Sequence, residues 1–238
     1  MTEKSIHSTV IGMTIPEGQI GFVDEASFLK RDVMKQIANV LTPLDLVVDA
    51  FAGVGISTKI YAESGAEVFA IDHDKEMFEM LTKNTAGIKN VTLCNCDNVL
   101  SMTELKNAGM SVSAVDLDPF SNAYVQLPFA VNILARAGIL CITSGEQISF
   151  RCGQRLKSRY GKYSNAIRKN NKYYLFAEKV LIPYIANTFN LEPVYHYVFP
   201  TSSRAVFVKG KKYRDKLKRV FRDYPRYIGY LRKLEEKK

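Results

Sequence analysis

The sequence predicts an α/β fold of the Rossmann-like kind: a mostly parallel seven-stranded sheet, helices on both faces, and an antiparallel strand supplied by a terminal hairpin. Three observations carry the prediction. Short apolar runs alternate with segments of helical period from residue 25 onward, the pattern of parallel strands joined by crossover helices. Three of the runs end in aspartate, at Asp49, Asp72 and Asp116-Leu117-Asp118, and a glycine turn follows the first. The last two runs, 193–199 and 204–208, are separated by only four residues, so they form a hairpin and cannot both lie parallel to the rest.

The elements follow in order. Residues 25–41 place Phe28, Ile37, Val40 and Leu41 at helical spacing, and Pro43 stops that helix. Leu46 to Val48 is a buried-strand run ending at Asp49. Beyond the glycine turn, Ser57 or Thr58 is expected to open the second helix. Residues 68–71 form strand two, 74–86 a helix with Gly87 suited to its C-terminal cap, 91–93 strand three and 112–117 strand four. Ser121 is expected to cap a helix running to residue 137, ended by Gly138, with strand five over 139–143. Residues 173–190 read as helix in spite of Pro183. Past the hairpin, 211–238 reads as two short helices broken at Pro225. One carries a stripe of Leu217, Val220 and Phe221, the other Ile228, Leu231 and Leu234, and both stripes are expected to dock on the body with the charge outward. A parallel sheet with an antiparallel strand near its end is the plan of a class I methyltransferase. The chain is therefore divided into a domain over 1–210 and a basic helical tail over 211–238.

Composition bounds the function. With 47% apolar residues in 238, the chain can bury a core and is not a disordered protein. No run of about 18 apolar residues exists, which excludes a membrane-spanning helix. The N-terminus lacks the apolar stretch of a secretory signal, and a cytoplasmic location is expected. Cys94, Cys96, Cys141 and Cys152 are read as reduced thiols, and their spacing, with three scattered histidines, is not that of a metal site. The net charge of +9 is unevenly spread. Residues 1–150 hold 10 Lys/Arg against 18 Asp/Glu, residues 151–172 hold 8 basic and no acidic residues, and residues 209–238 hold 13 basic against 4 acidic. Two basic segments on an acidic body suit a polyanion, because each phosphate contact releases counterions. Arg151, Arg155, Lys157, Arg159, Lys162, Arg168 and Lys169 in the first segment, and Lys211 and Lys212 in the second, are the nucleic-acid-binding candidates. An acidic membrane surface is the rival partner, but the tail has no strong apolar face to insert.

The chemistry gathers at the strand ends. In Asp49-Ala50-Phe51-Ala52-Gly53-Val54-Gly55 the glycines let backbone approach a ligand closely. Asp72 ends the next strand, where a carboxylate can accept both hydroxyls of a ribose. Asp97 follows the third strand, within reach of an adenine edge. A glycine pair alone is an ordinary turn, but three carboxylates at successive strand ends define an adenosine pocket. No third glycine completes a dinucleotide fingerprint and no P-loop occurs, so S-adenosylmethionine fits better than NAD. Asp49, Phe51, Gly53, Gly55, Asp72, His73, Asp97, Asn98 and Asp116 form the cofactor set, although His73 by itself reads as a surface or capping residue rather than a base. Asp118-Pro119-Phe120 resembles the motif of methyltransferases that act on exocyclic amines. Such an amine is a poor nucleophile because its lone pair is delocalised into the ring. A carboxylate and a backbone carbonyl can accept its N–H bonds and aim it at the sulfonium methyl, while an aromatic ring stacks the base.

Taken together, these residues resemble the tRNA guanine-26 N2-dimethyltransferase family over roughly residues 15–210. The segment from Phe22 to Arg31-Asp32 is similar to the family's segment before strand one. Asp116-Leu117-Asp118-Pro119-Phe120 is similar to its acidic-x-Asp-Pro-Phe motif, and the strand from Gly138, the pair Arg159-Tyr160 and the closing hairpin through Arg204 follow in family order. The resemblance implies that Arg31, Asp72 and Asp97 contact S-adenosylmethionine, that Asp118 holds the guanine N2 amine and that Phe120 shapes the base pocket. Where this family has a Ser-Ala-Ser-Gly-like turn the chain reads Phe51-Ala52-Gly53-Val54-Gly55, and Ser121 stands where the family has glycine. The expected function is an S-adenosylmethionine-dependent, metal-free N-methyltransferase acting on RNA, foremost tRNA. DNA amino-methylation at adenine N6 or cytosine N4, a small-molecule methyltransferase, and a non-catalytic RNA-binding protein of the same fold are the alternatives.

Overall fold

The computed structural model describes residues 8–10, 13–15, 25–119, 121–146, 153–165, 175–199 and 202–226. Phe120, Arg151, Cys152, Arg168, Lys169 and the stripe of Ile228, Leu231 and Leu234 lie outside them. Two short strands, β1 (Ser8–Val10) and β2 (Met13–Ile15), pair antiparallel with each other. The main sheet is built from β3 (Leu46–Asp49), β4 (Glu67–Ile71), β5 (Val91–Cys94), β6 (Val112–Leu117), β7 (Leu134–Ser144), β8 (Glu192–Val198) and β9 (Ser203–Lys209). Its spatial order is β5-β4-β3-β6-β7-β9-β8. The pairs from β5 through β7 are parallel, and β9 joins β7 and β8 antiparallel, as the hairpin requires. The helices are α1 (Glu25–Ala38), α2 (Ile56–Ala62), α3 (Lys75–Asn84), α4 (Asn98–Asn107), α5 (Leu127–Ile133), α6 (Gly153–Tyr160), α7 (Ile182–Phe189) and α8 (Arg214–Val220).

The strands are apolar on both faces, and their period of two divides the core into two layers. Val47, Ala114, Ile139, Cys141, Val206 and Val208 face Val33, Met34 and Ile37 of α1, Ile60 and Tyr61 of α2, and Leu217 of α8. Val48, Val115, Leu140, Ile142, Ala205 and Phe207 face Ala130 and Ile133 of α5, Leu156 and Tyr160 of α6, and Ile185 of α7. The same alternation sets Asp116, Thr143 and Arg204 on the α1 and α2 side.

Several boundaries differ from the sequence reading, each for a local reason. Ser57 and Thr58 lie inside α2 and do not cap it; Gly55, at φ 94°, takes the cap position. The helix expected from Ser121 to 137 is only α5, and Leu134 to Ser144 is strand. Gly138 therefore ends no helix. It sits in β7 beside a register shift against β6, where an added Cβ would come within 2.9 Å of Leu134 Cδ2. The sequence reading left α4 out, because only Asn98, Ser101 and Met102 of it are buried and no apolar stripe marks it. Pro183 is tolerated because a widened π-turn, Ala177–Leu181, precedes it and places it in the first turn of α7. Phe28 does not join the core stripe of α1 and is exposed. Cys94 and Cys96 are disulfide-bonded, a correction to four free thiols: a one-residue spacing at a strand end sets both side chains on one face with Cα atoms 5.5 Å apart. Cys141 is a buried free thiol.

The described part of the tail, residues 211–226, is anchored to the body. Asp45, at the N-terminal edge of β3, is buried and accepts hydrogen bonds from Thr42 N and Oγ1 (2.8 Å each), Ser113 Oγ (2.7 Å), Lys212 Nζ (2.7 Å) and Tyr213 Oη (2.6 Å). Leu217 and Phe221 are buried, and Phe221 stacks on Tyr195 at 4.5 Å. The charge of the tail is not all outward, since Lys212 serves Asp45 and Lys218 pairs with Glu192. Burial alone would raise the Asp45 pKa, but hydrogen bonds from Lys212, Tyr213, Ser113 and Thr42 hold it far below the ordinary carboxylate range. A depressed carboxylate stabilises the fold above its unfolded pKa and loses that contribution as pH falls through the folded one. Asp45→Asn is therefore expected to cost about 3 kcal/mol at pH 7 and progressively less toward acid, read by denaturant unfolding at pH 7 and pH 3.

Candidate active site

The carboxylates singled out in the sequence lie along the C-terminal ends of β3, β4, β5 and β6, on one edge of the sheet. Local bonds knit them together. Gly53, at φ 54°, donates its N–H to Asp72 Oδ2 at 2.8 Å, and Asp72 Oδ1 accepts from Asp74 N at 2.9 Å. An added Cβ at Gly53 would meet nothing within 4 Å, so the turn faces open space on its outer side. Asp97 caps α4 by accepting from Leu100 N, and the buried Asn98 donates to Ala50 O at 3.2 Å, tying the end of β5 to the glycine turn. His73 is exposed, and Phe51 is half-buried against the α5 side of the core. These residues fit an adenosine group on three counts: the open turn, a partly exposed carboxylate at Asp72, and Asn98 Oδ1, which is buried without a hydrogen-bond partner. Arg31 is buried on α1, its guanidinium 4.6 Å over the ring of Phe28. No group of three or more His, Cys, Asp or Glu among the described residues could hold a metal ion.

Asp49 closes the floor of the turn. It is fully buried and accepts from Ser57 Oγ and Thr58 Oγ1, both at 2.7 Å, on one oxygen, while its other oxygen has no partner. Burial first, and repulsion from Asp116 second, push its pKa up to about 7 against those two hydrogen bonds.

Beside Asp118 lies a charged cluster that sequence reading assembled only in part. Asp116 Oδ2 receives Tyr61 Oη and Arg204 Nη2, each at 2.6 Å, and Arg204 Nη1 donates to Thr143 Oγ1 at 2.8 Å. Asp116 thus faces the core pair Tyr61 and Arg204. Arg204 is wholly buried, with Nη1 3.9 Å from Asp118 Oδ1. On the outer side, Lys30 of α1 meets Asp118 Oδ2 at 2.7 Å. Burial acts to raise the pKa of Asp118, but Lys30 and Arg204 together hold it below its ordinary value, so it is ionised at neutral pH. Sequence reading missed Lys30, Tyr61 and the partnership of Arg204. An arginine inside the apolar strand Ser203–Lys209 was the available signal, since such a charge must find a buried counter-ion.

The basic candidates separate. Lys157 and Lys162, both exposed, and Arg159 follow β7 and so flank the same edge as Asp118. Arg159 and Tyr160 both bond Glu146 just past β7, and Gly145 N donates to Ser121 O at 2.6 Å, so α6 and Ser121 are tied to the same segment after β7. Arg155 lies in α6. Lys211 and Lys212 follow β9, which runs the other way, and lie at the opposite edge beside Asp45.

A family model described as N2,N2-dimethylguanosine tRNA methyltransferase matches residues 25–224 of the chain. A curated relative from Pyrobaculum islandicum, a tRNA (guanine(26)-N(2))-dimethyltransferase, is 27% identical over 161 residues, covering 63% of this chain and 44% of the relative. The chain thus spans less than half the length of that relative. Among solved structures, Trm1 from Pyrococcus horikoshii in complex with S-adenosyl-L-methionine aligns with a TM-score of 0.63 at 20% identity, over 85% of this chain and 60% of that one. TYW2 from M. jannaschii in complex with AdoMet aligns with a TM-score of 0.53 at 16% identity, over 87% and 86%. At these identities the two structures speak to the fold.

The raised pKa of Asp49 carries a sign. A carboxyl whose folded pKa lies above the unfolded value stabilises most below the unfolded pKa and loses that contribution as pH rises through about 7. Ligand-free Tm is therefore expected to fall between about pH 4 and pH 7 and to level off above, and Asp49→Asn to flatten that slope, checked by thermal melts across the range.

Proposed function

The chain belongs to the N2,N2-dimethylguanosine tRNA methyltransferase family, and from that premise we propose that it is an S-adenosylmethionine-dependent N-methyltransferase acting on guanine N2 in tRNA or another structured RNA. Bound S-adenosylmethionine would supply an electrophilic methyl group on a sulfonium. Asp72 would accept the ribose hydroxyls, since each of its oxygens takes one backbone N–H and keeps a lone pair. Asp97 and Asn98 would meet the adenine edge, Gly53 and Gly55 would let the backbone approach, and Arg31 and Asp49 would bracket the remaining polar end.

The observation that carries the reading is Asp118: an ionised, partly exposed carboxylate just past the end of β6, beside the glycine turn, bonded by Lys30 and with the Arg204 guanidinium 3.9 Å away. Such a group accepts the N–H of an exocyclic amine and returns electron density to a nitrogen whose lone pair is otherwise spread into the ring. The carbonyl of Pro119 would take the second N–H, and the pair would point the nitrogen at the methyl group for one in-line displacement. The target base must leave its stack to reach this edge, at a cost of a few kcal/mol. Lys157 and Lys162, with Arg159 behind them, would hold phosphates around it.

Two outcomes are expected. With labelled S-adenosylmethionine and unmodified tRNA, digestion should yield N2-methylguanosine; Asp118→Ala should lower turnover about a hundredfold or more while cofactor affinity stays near wild type. A wild-type rate in that variant would remove the amine-holding role. Replacing Lys157 and Lys162 with serine should make the slope of log affinity against log salt shallower by roughly 1.5. An unchanged slope would move the RNA to another face. Truncating the tail is the poorer probe, because it strips Leu217 and Phe221 from the core.

A further inference from the structure

We propose that Lys30 reads the O6 atom of the target guanine, working as a unit with Asp118; the inference rests on guanine N2 being the acceptor. Two cations stand beside Asp118, and they are not equivalent. Arg204 is 0% exposed, its guanidinium is committed to Asp116 and Thr143, and it cannot reach a ligand. It already gives Asp118 a fixed positive neighbour. Lys30 has a side chain 30% exposed on the outer side of the same carboxylate, with Nζ 2.7 Å from Oδ2. An ammonium carries three donors, and Asp118 uses one of them.

The pairing edge of guanine explains why a second cation is useful there. Along that edge stand an N2–H donor, an N1–H donor and the O6 acceptor, in that order. An ionised carboxylate matches the two donors. The next atom requires a donor beside the carboxylate, which is where Lys30 stands. The 2.7 Å between Nζ and Oδ2 is of the same order as the spacing of neighbouring polar atoms on the base edge, so the row of two oxygens and one ammonium faces the row of two donors and one acceptor. Adenine and cytosine each set a bare ring nitrogen, an acceptor, beside their amine, so the carboxylate would meet a lone pair and neither base would satisfy the pair. Asp118 alone therefore selects an amine, and Asp118 with Lys30 selects the amine of guanine.

A merely structural Lys30, present to neutralise Asp118, would affect every acceptor equally. The test is accordingly a ratio. Methyl transfer by the full chain is measured on a tRNA transcript and on the same transcript with 6-thioguanosine at the methylated position. The thio base keeps N1–H and the N2 amine and replaces O6 with a weak acceptor. Wild type should prefer guanosine by about tenfold in kcat/KM, the worth of one charge-assisted hydrogen bond partly lost. Lys30→Met should bring the ratio close to one, and Lys30→Arg, which keeps a donor, should restore the preference. Cofactor titration of each variant reports whether its fold and cofactor site are intact. A wild-type ratio near one, or a Lys30→Met ratio equal to a wild-type preference, overturns the inference while leaving guanine methylation standing. No N2-methylguanosine from wild type with cofactor bound overturns the functional reading, and this inference with it.

Discussion

One buried guanidinium organises the active edge. Arg204 enters from β9, crosses β7 by way of Thr143, and closes on Asp116 in β6, two strands away. The strand register makes this possible, because Thr143 lies opposite Arg204 and the alternation keeps Asp116 on the same face. Taking both charges out of water is expensive, and a buried pair adds little net stability compared with an apolar packing of the same volume. What the pair provides is geometry. Arg204 is wholly buried, Asp116 is held from a second side by Tyr61, and Asp118, one residue past the end of β6, therefore emerges beside a fixed positive charge. Lys30 and Arg204 together keep the Asp118 carboxylate ionised at neutral pH.

The two edges of the sheet divide the work. At the C-terminal edge the polar groups are partly open: Asp72 and Asp118 are each only partly covered, and the Gly53 turn faces empty space. At the N-terminal edge Asp45 gathers Thr42, Ser113, Lys212 and Tyr213 into a closed knot that fastens the tail to the start of β3. Both edges use a low carboxylate pKa and each has one lysine at the solvent side, but Asp45 itself is buried, whereas Asp118 stays partly exposed. The basic segments, which look alike in composition, separate accordingly. The helix Gly153–Tyr160 stands at the open edge, and Lys211 with Lys212 stands at the closed one.

Much of the architecture was legible because it is written locally. The aspartates at 49, 72 and 116–118 mark strand ends by simple punctuation of apolar runs, and the hairpin of 192–209 follows from a connection too short for a crossover. Errors fell where local pattern and tertiary context disagree. Helix Asn98–Asn107 buries Met102 but leaves Leu100 exposed and sets Asn98 and Ser101 inward, so it carried no apolar stripe to read. Leu134 to Ala137 have the composition of a helix, but Leu134 pairs with Val112 and the chain crosses a register shift before the ladder resumes at Ile139, so the segment runs into β7. Cys94 and Cys96, read as free thiols, are joined because the end of β5 points both the same way.

The sequence by itself determined the fold class, the order of most of its elements and the row of carboxylates at the strand ends, because periodicity, glycine turns and strand-end carboxylates are short-range properties of the chain. Only the tertiary structure decided which charges answer one another. Lys30 meets Asp118 across 88 positions, Arg204 meets Asp116 across another 88, and Lys212 meets Asp45 across 167. The physical reason is desolvation: a buried carboxylate must be matched by whichever donor the packing delivers, and packing brings together residues that no local pattern associates.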